Sequence, residues 1–254
     1  MKFSYSAVWA DTAALLRSHG ALIATVAGVF IFLPGLLVAY FLPQPEPTDL
    51  GRIGQMWIDY IGASWPWLLL NSLISMVGAI AILLLIFARD ISVGGAIRGA
   101  LPLLPAYFVA SVYASLAIGF GFVLLIVPGL YLLGRLGPSN SVLVAEARRN
   151  PIAAIARCWA LTRGHGWAVL GLILIVAVAA AIAVGVASTL VGILLVLIAG
   201  QDIGQLLVLI VRTAGNAAMM SLLLVLNAAI YRQLGGARSA AADQGDLRGG
   251  AGGQ

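Results

Sequence analysis

Long apolar runs alternate along this chain with shorter stretches in which apolar residues recur every three or four positions. The runs read as membrane spans, because ~20 helical residues cross ~30 Å of hydrocarbon. The periodic stretches read as amphipathic helices lying beside them. Ser6 to His19 is the first, with Val8, Trp9, Thr12, Leu15 and Leu16 on one side and Asp11 and Arg17 elsewhere. Gly20 is expected to punctuate it before a span over Ala21–Leu42, which Pro43, Pro45 and Pro47 close. Farther on, Leu50, Ile53, Trp57 and Ile61 share one face and predict a further interfacial helix, with Trp65 and Trp67 marking the water boundary. A second span covers Leu68–Ala88, and Ile91–Leu101 is a short helix carrying Arg98.

The next run, Pro102–Leu136, has no charge before Arg135 and is too long for one comfortable crossing. It is either one tilted helix or a hairpin turning near Gly119–Gly121. Charge decides. With a hairpin there are six spans, and Lys2, Arg17, Arg89, Arg98, Arg135, Arg148, Arg149, Arg157, Arg163, Arg232, Arg238 and Arg248 fall on one side, against Arg52 alone on the other. A single crossing separates the charges less well, and basic residues concentrate in cytoplasmic loops, so six spans with both termini cytoplasmic is the expectation. A fifth span begins at Trp167, where Ala177, Ala181 and Gly185 form a small-residue ridge for close helix contact. Ser188–Gly200, only thirteen residues, reads as a re-entrant or interfacial piece. Gln201 and Asp202 mark the outer turn before a last span that ends near Tyr231.

Between the fourth and fifth spans lies Glu146–Trp167, EARRNPIAAIARCWALTRGHGW. Asn150 is placed to cap a helix, Pro151 suits its first position, and Gly164 can end it. Ile152, Ile155, Trp159 and Thr162 form a stripe with Arg157 opposite, as in a helix lying at a membrane interface with its basic face to headgroups. Leu15-Leu16-Arg17-Ser18-His19-Gly20 is echoed by Leu161-Thr162-Arg163-Gly164-His165-Gly166, and Pro34-Gly35-Leu36 by Pro128-Gly129-Leu130. These echoes predict one membrane domain over 1–234, built from helix-plus-hairpin units at about 3–88, 91–137 and 147–233. The tail over 235–254, rich in Gly and Ala, is expected to be disordered.

Composition agrees with this class: 62% of residues are hydrophobic and 9% charged, and the continuous apolar runs lack the alternation of a β-barrel. The expected architecture is therefore an all-α polytopic membrane bundle. The net charge of +5 lies in short loops beside spans, where anionic lipid explains it better than nucleic acid does. The single cysteine, Cys158, excludes an internal disulfide.

Two histidines without Cys, Asp or Glu at ligand spacing make a poor metal site, and neither metal nor cofactor is expected. Arg148, Arg149, Arg157, Trp159, Arg163 and His165 are the candidates for binding lipid or a partner. Arg212, with Asn216 one turn deeper, either lines an intramembrane cavity or snorkels to the outer boundary. Asn71, Ser72, Ser75 and Asn227 are expected to hydrogen-bond between helices. No nucleophile elbow, phosphate loop or zincin motif is present, and no carboxylate lies within a span core, which disfavours proton-coupled transport.

Over PGLYLLGRL (Pro128–Leu136) and then E-x-x-R-N-P-I-x-A-I-x-R-C-W-x-L-T-R-G (Glu146–Gly164), the chain resembles a bacterial family: the membrane domain of glycerophosphoryl diester phosphodiesterases and the related YciC-like inner-membrane proteins. The resemblance implies a bacterial inner-membrane location. Members fused to a phosphodiesterase barrel owe their chemistry to that separate domain, so no catalytic residue carries over. The expected function is non-enzymatic: engagement of membrane lipid or an envelope partner through basic interfacial helices. The alternatives are a transporter or flippase using a polar path at Arg212 and Asn216, or a membrane anchor for a separate phosphodiesterase.

Overall fold

A computed structural model describes residues 4–43, 45, 51–88, 91–147 and 150–249, without the side chains at 53, 199, 202 and 236–249. The described residues form helices and no strand. Five helical stretches are long and apolar enough to cross a membrane: Tyr5–Phe41, Gly54–Phe87, Val93–Leu124, Gly166–Ile198 and Ile203–Gly235. This is an all-α bundle of an integral membrane protein.

The first stretch holds α1 (Tyr5–Ala27), a π turn (Gly28–Phe32) and α2 (Leu33–Phe41). Ser4 caps α1 by accepting from the Ala7 N–H. Gly20 does not interrupt this helix, contrary to the sequence expectation. In hydrocarbon no water competes for the backbone, so a helical glycine is tolerated more readily than in a soluble domain. The π turn precedes Pro34, and the Leu33 N–H reaches back to the Gly28 carbonyl, accommodating the bond that proline cannot make.

Helix α3 (Ile53–Phe87) is likewise continuous, so the segment with Trp57 and Ile61 is its first turns rather than a separate interfacial helix. Its packed run over 79–83 forms the centre of the core with Val26 of α1 and Leu226 and Ile230 of the last crossing. Helix α4 (Val93–Ala100), capped by Ser92, follows as expected and leads through a short 3-10 turn into α5 (Leu104–Leu124).

The chain does turn back after α5, at Leu125 rather than near Gly119–Gly121. Leu125 is extended (φ −165°, ψ 152°) and starts α6 (Ile126–Leu136). The glycines serve a different purpose: a Cβ on Gly121 would meet the Gly129 Cα at 2.9 Å, so α5 and α6 touch backbone to backbone. The return continues beyond Pro138 into α7 (Ser139–Ala145), where Asn140 Nδ2 donates to Ser111 Oγ of α5 at 3.1 Å. Neither α6 nor α7 alone is long enough to cross. Laid end to end, their 11 and 7 residues approach ~30 Å at 1.5 Å per residue.

Helix α8 (Pro151–Leu161) lies across the end of the bundle, and α9 (Gly166–Gly249) runs in two limbs that reverse at Gly200 (φ 79°, ψ 178°). The first limb is helical through 188–198, which corrects the re-entrant expectation. The second limb continues as helical backbone to Gly249. Contacts between Asp11 and Arg232, and between Phe87 and Tyr231, gather 4–19, 85–88, 146–147, 157–165 and 231–233 at one basic end.

Candidate functional site

The corner joining α8 to α9 is built from local signals that the sequence displays. Asn150 Oδ1 accepts from the Ile152 and Ala153 N–H groups, and Pro151 occupies the first position, where no donor is needed. Thr162 closes the helix. Gly164 then takes φ +84°, a left-handed conformation that glycine adopts without steric penalty, and the chain turns into α9.

The faces of α8 divide differently from the sequence stripe. Ala154, Cys158, Leu161 and Thr162 are buried against the bundle, while Ile152 is exposed and Trp159 partly so. Arg157 lies to the other side, its Nε 3.1 Å from Glu146 Oε1, which also accepts from the Tyr231 hydroxyl at 3.3 Å. Half-buried Glu146 thus ties α8 to the last crossing. Burial pushes the Cys158 thiol up to about 12, against the opposing pull of the Arg135 charge. It is a packed, inert group whose S–H points at the Arg135 carbonyl at 3.2 Å.

Arg135 is the centre of the corner, and sequence reasoning placed it only among the topology-setting charges. It is 5% exposed. Its Nε donates to Thr162 Oγ1 at 3.3 Å, Nη1 to the Tyr131 hydroxyl at 2.9 Å, and Nη2 to the Trp159 carbonyl. The guanidinium carbon lies 3.7 Å from the centroid of the Trp159 ring, a close cation–π arrangement. Tyr131 stands edge-on to Trp159 and tilted against Trp167, with centroids at 6.4 and 5.6 Å. Two glycines permit this approach. A Cβ on Gly134 would fall 2.5 Å from the Gly166 carbonyl oxygen, and one on Gly166 would fall 2.9 Å from Arg135 Cγ.

The sequence carried one signal for this cluster: Tyr131 and Arg135 stand one helical turn apart beside Gly134. It could not reveal Thr162 and Trp159, which arrive from another helix.

Of the expected site residues, Trp159 joins Arg135 directly, Arg157 is engaged with Glu146, and Arg163 is exposed. His165 is half-buried in the turn, its N–H donating to the Thr162 carbonyl. Arg148 and Arg149 lie outside the described residues. Arg212 and Asn216 are both exposed on the second limb of α9. Arg212 borders an open groove between the limbs, with Ser188, Thr189 and Gly192 opposite it. Arg212 lies within the apolar stretch Ile203–Gly235. Asn227 bonds within its own helix, donating to the Leu223 carbonyl, while its Oδ1 and that of Asn71 are buried without a partner among the described residues.

No protein-family model, curated protein or solved structure matches the chain.

Chemically, the corner concentrates a desolvated cation, aromatic rings with polar edges and an exposed arginine. Amphipathic aromatic rings and arginines are enriched where spans meet water.

Proposed function

We propose that the protein is a non-enzymatic inner-membrane protein that engages acidic lipid headgroups at the cytoplasmic leaflet through the α8–α9 corner. One observation carries this reading: α8 packs its Ala154–Cys158–Leu161 face on the bundle while leaving Ile152 exposed and Trp159, against Arg135, partly so. A helix so seated has one side in protein and the neighbouring side in the interface, as monotopic amphipathic helices do. Its ion pair with Glu146 partly meets the charge of Arg157, so Arg163 contributes more to the attraction than Arg157 does. The likeness of 128–167 to the membrane domain of the phosphodiesterases is in keeping with a lipid-facing role and remains part of the proposal. A transport path through Arg212 and Asn216 draws little support, because the groove that Arg212 borders is wide open and does not include Asn216.

The test is the lipid preference of nanodisc-held protein. Replacing Arg148, Arg149, Arg157 and Arg163 by Gln is expected to weaken association with phosphatidylglycerol by up to about 1 kcal/mol per charge, and raising salt is expected to mimic the effect. Equal enrichment of phosphatidylglycerol around wild type and the fourfold variant contradicts the reading.

A further inference from the structure

The corner holds more hydrogen-bond donors than the protein accepts. A guanidinium has five N–H groups, and Arg135 finds three acceptors: Thr162 Oγ1, the Tyr131 hydroxyl and the Trp159 carbonyl. The Tyr131 oxygen is engaged as acceptor, and its own proton, which it remains able to donate, finds no protein acceptor among the described residues. The indole N–H groups of Trp159 and Trp167 likewise find none there. Nor does Arg135 have an ion pair among the described residues; the carboxylate of Glu146 is held by Arg157 and Tyr231.

A buried positive charge with only neutral partners is unfavourable unless an anion completes it. Unspent donors around a planar guanidinium fit an oxyanion, and arginine matches phosphate in geometry as well as charge. The rim argues for a lipid rather than free phosphate, because Trp159 and Trp167 are exposed apolar side chains in the cluster and Ile152 is exposed about two turns before Trp159 on α8.

We infer that Arg135, Tyr131, Trp159 and Trp167 hold the phosphate group of one acidic phospholipid, with its acyl chains along the lipid-facing side of α8 and the start of α9. This inference rests on the reading that the corner meets headgroups, and it names the ligand and the residues that grip it. Surface arginines attract a diffuse, salt-sensitive lipid population; Arg135 retains a single lipid that salt displaces poorly, since a desolvated pair is weakly screened.

Native mass spectrometry of delipidated protein, titrated with phosphatidylglycerol, phosphatidylcholine or inorganic phosphate, distinguishes the cases. Wild type is expected to retain one phosphatidylglycerol about tenfold better than phosphatidylcholine, the scale of one charge-assisted contact. Arg135→Gln and Tyr131→Phe are expected to abolish most of that preference, and Arg163→Gln to leave it within about twofold. Tyr131→Phe preserves the ring packing, so its result stands even where Arg135→Gln fails to fold. Retention unchanged in folded Tyr131→Phe and Arg135→Lys together overturns the assignment, as does displacement of the lipid by millimolar inorganic phosphate. Loss of the bulk nanodisc preference in the surface variant, with the single retained lipid also absent from wild type, overturns this inference alone and leaves the broader reading standing.

Discussion

The two corners that carry the same sequence echo are built alike up to their last turn and then diverge. Ser4 and Asn150 cap the two helices, and Val8, Thr12 and Leu15 are buried as Ala154, Cys158 and Leu161 are. Every pair is separated by the spacing of Gly20 and Gly166. Yet α1 runs unbroken into its span, whereas α8 stops and turns. At the first corner, Ser18 returns its hydroxyl to the Ala14 carbonyl at 2.9 Å, and the backbone stays helical. At the second, the equivalent residue is Gly164 with φ +84°, and Arg135 from α6 fastens the turn from beneath. Among the described residues no such wedge meets the first corner, where a crevice is lined by Leu15, His19, Phe87 and Arg232. The same amphipathic pattern therefore yields a straight entry or a helix that stops and turns, according to one residue's backbone freedom and one tertiary clamp.

The matched glycines offer the sharpest way to break this comparison. Gly166→Ala and Gly134→Ala push a methyl group into Arg135 or the Gly166 carbonyl and are expected to cost about 3 kcal/mol each. Gly20→Ala meets nothing within 4 Å and is expected to stabilise the continuous helix by about 0.5–1 kcal/mol. Thermal unfolding in detergent reads both, and effects of the same sign at Gly20 and Gly166 would show that the corners do not differ as described.

Exchanging the turn residues is a smaller perturbation. Gly164→Ser forces a side chain into the left-handed region at about 1–2 kcal/mol, while Ser18→Gly loosens a helix interior by about 1 kcal/mol. Limited proteolysis at 162–166 is expected to rise in the first variant and stay unchanged in the second. Equal cleavage in both would remove the role given to Gly164.

Alkaline pH tests the buried position that Thr12 and Cys158 share. With the Cys158 thiol raised to about 12, the folded state keeps it neutral while the unfolded chain ionises from about 9. This contribution to stability is whole below pH ~9, falls by about 1.4 kcal/mol per pH unit above it, and is lost by pH ~12. Comparing Cys158→Ala with wild type isolates it: the two unfolding profiles should converge as pH rises from 8 to 10. Parallel profiles, or rapid maleimide labelling of the folded protein, would place Cys158 at the surface instead.

Much of this architecture was legible in the chain. Apolar run lengths gave the membrane class, and Asn150-Pro151 with Gly164 gave α8 nearly to its ends. The errors have a common origin. Gly20 is read as punctuation, the 50–61 segment as a separate amphipathic piece and Ser188–Gly200 as too short to cross, each taking a local feature for a helix boundary; α1 runs through Gly20, α3 through 53–61 and the first limb of α9 through 188–198. The glycines near 119–121 were read as a turn although Gly121 serves close packing on Gly129. Arg135 stayed hidden because its partners Trp159 and Thr162 lie on a different helix, and periodicity describes one helix at a time.

The central claim is that α8 lies at headgroup depth with Trp159 facing lipid beside Arg135. It is tested most directly by a variant in which Trp159 is the only tryptophan, the other five being Phe, placed in bilayers with bromine at defined acyl positions. The account predicts strong quenching by bromine near the headgroups, weak quenching by bromine at the bilayer centre, and slow quenching by aqueous iodide. Rapid iodide quenching with no response to bromine at any depth would place α8 in water and contradict it.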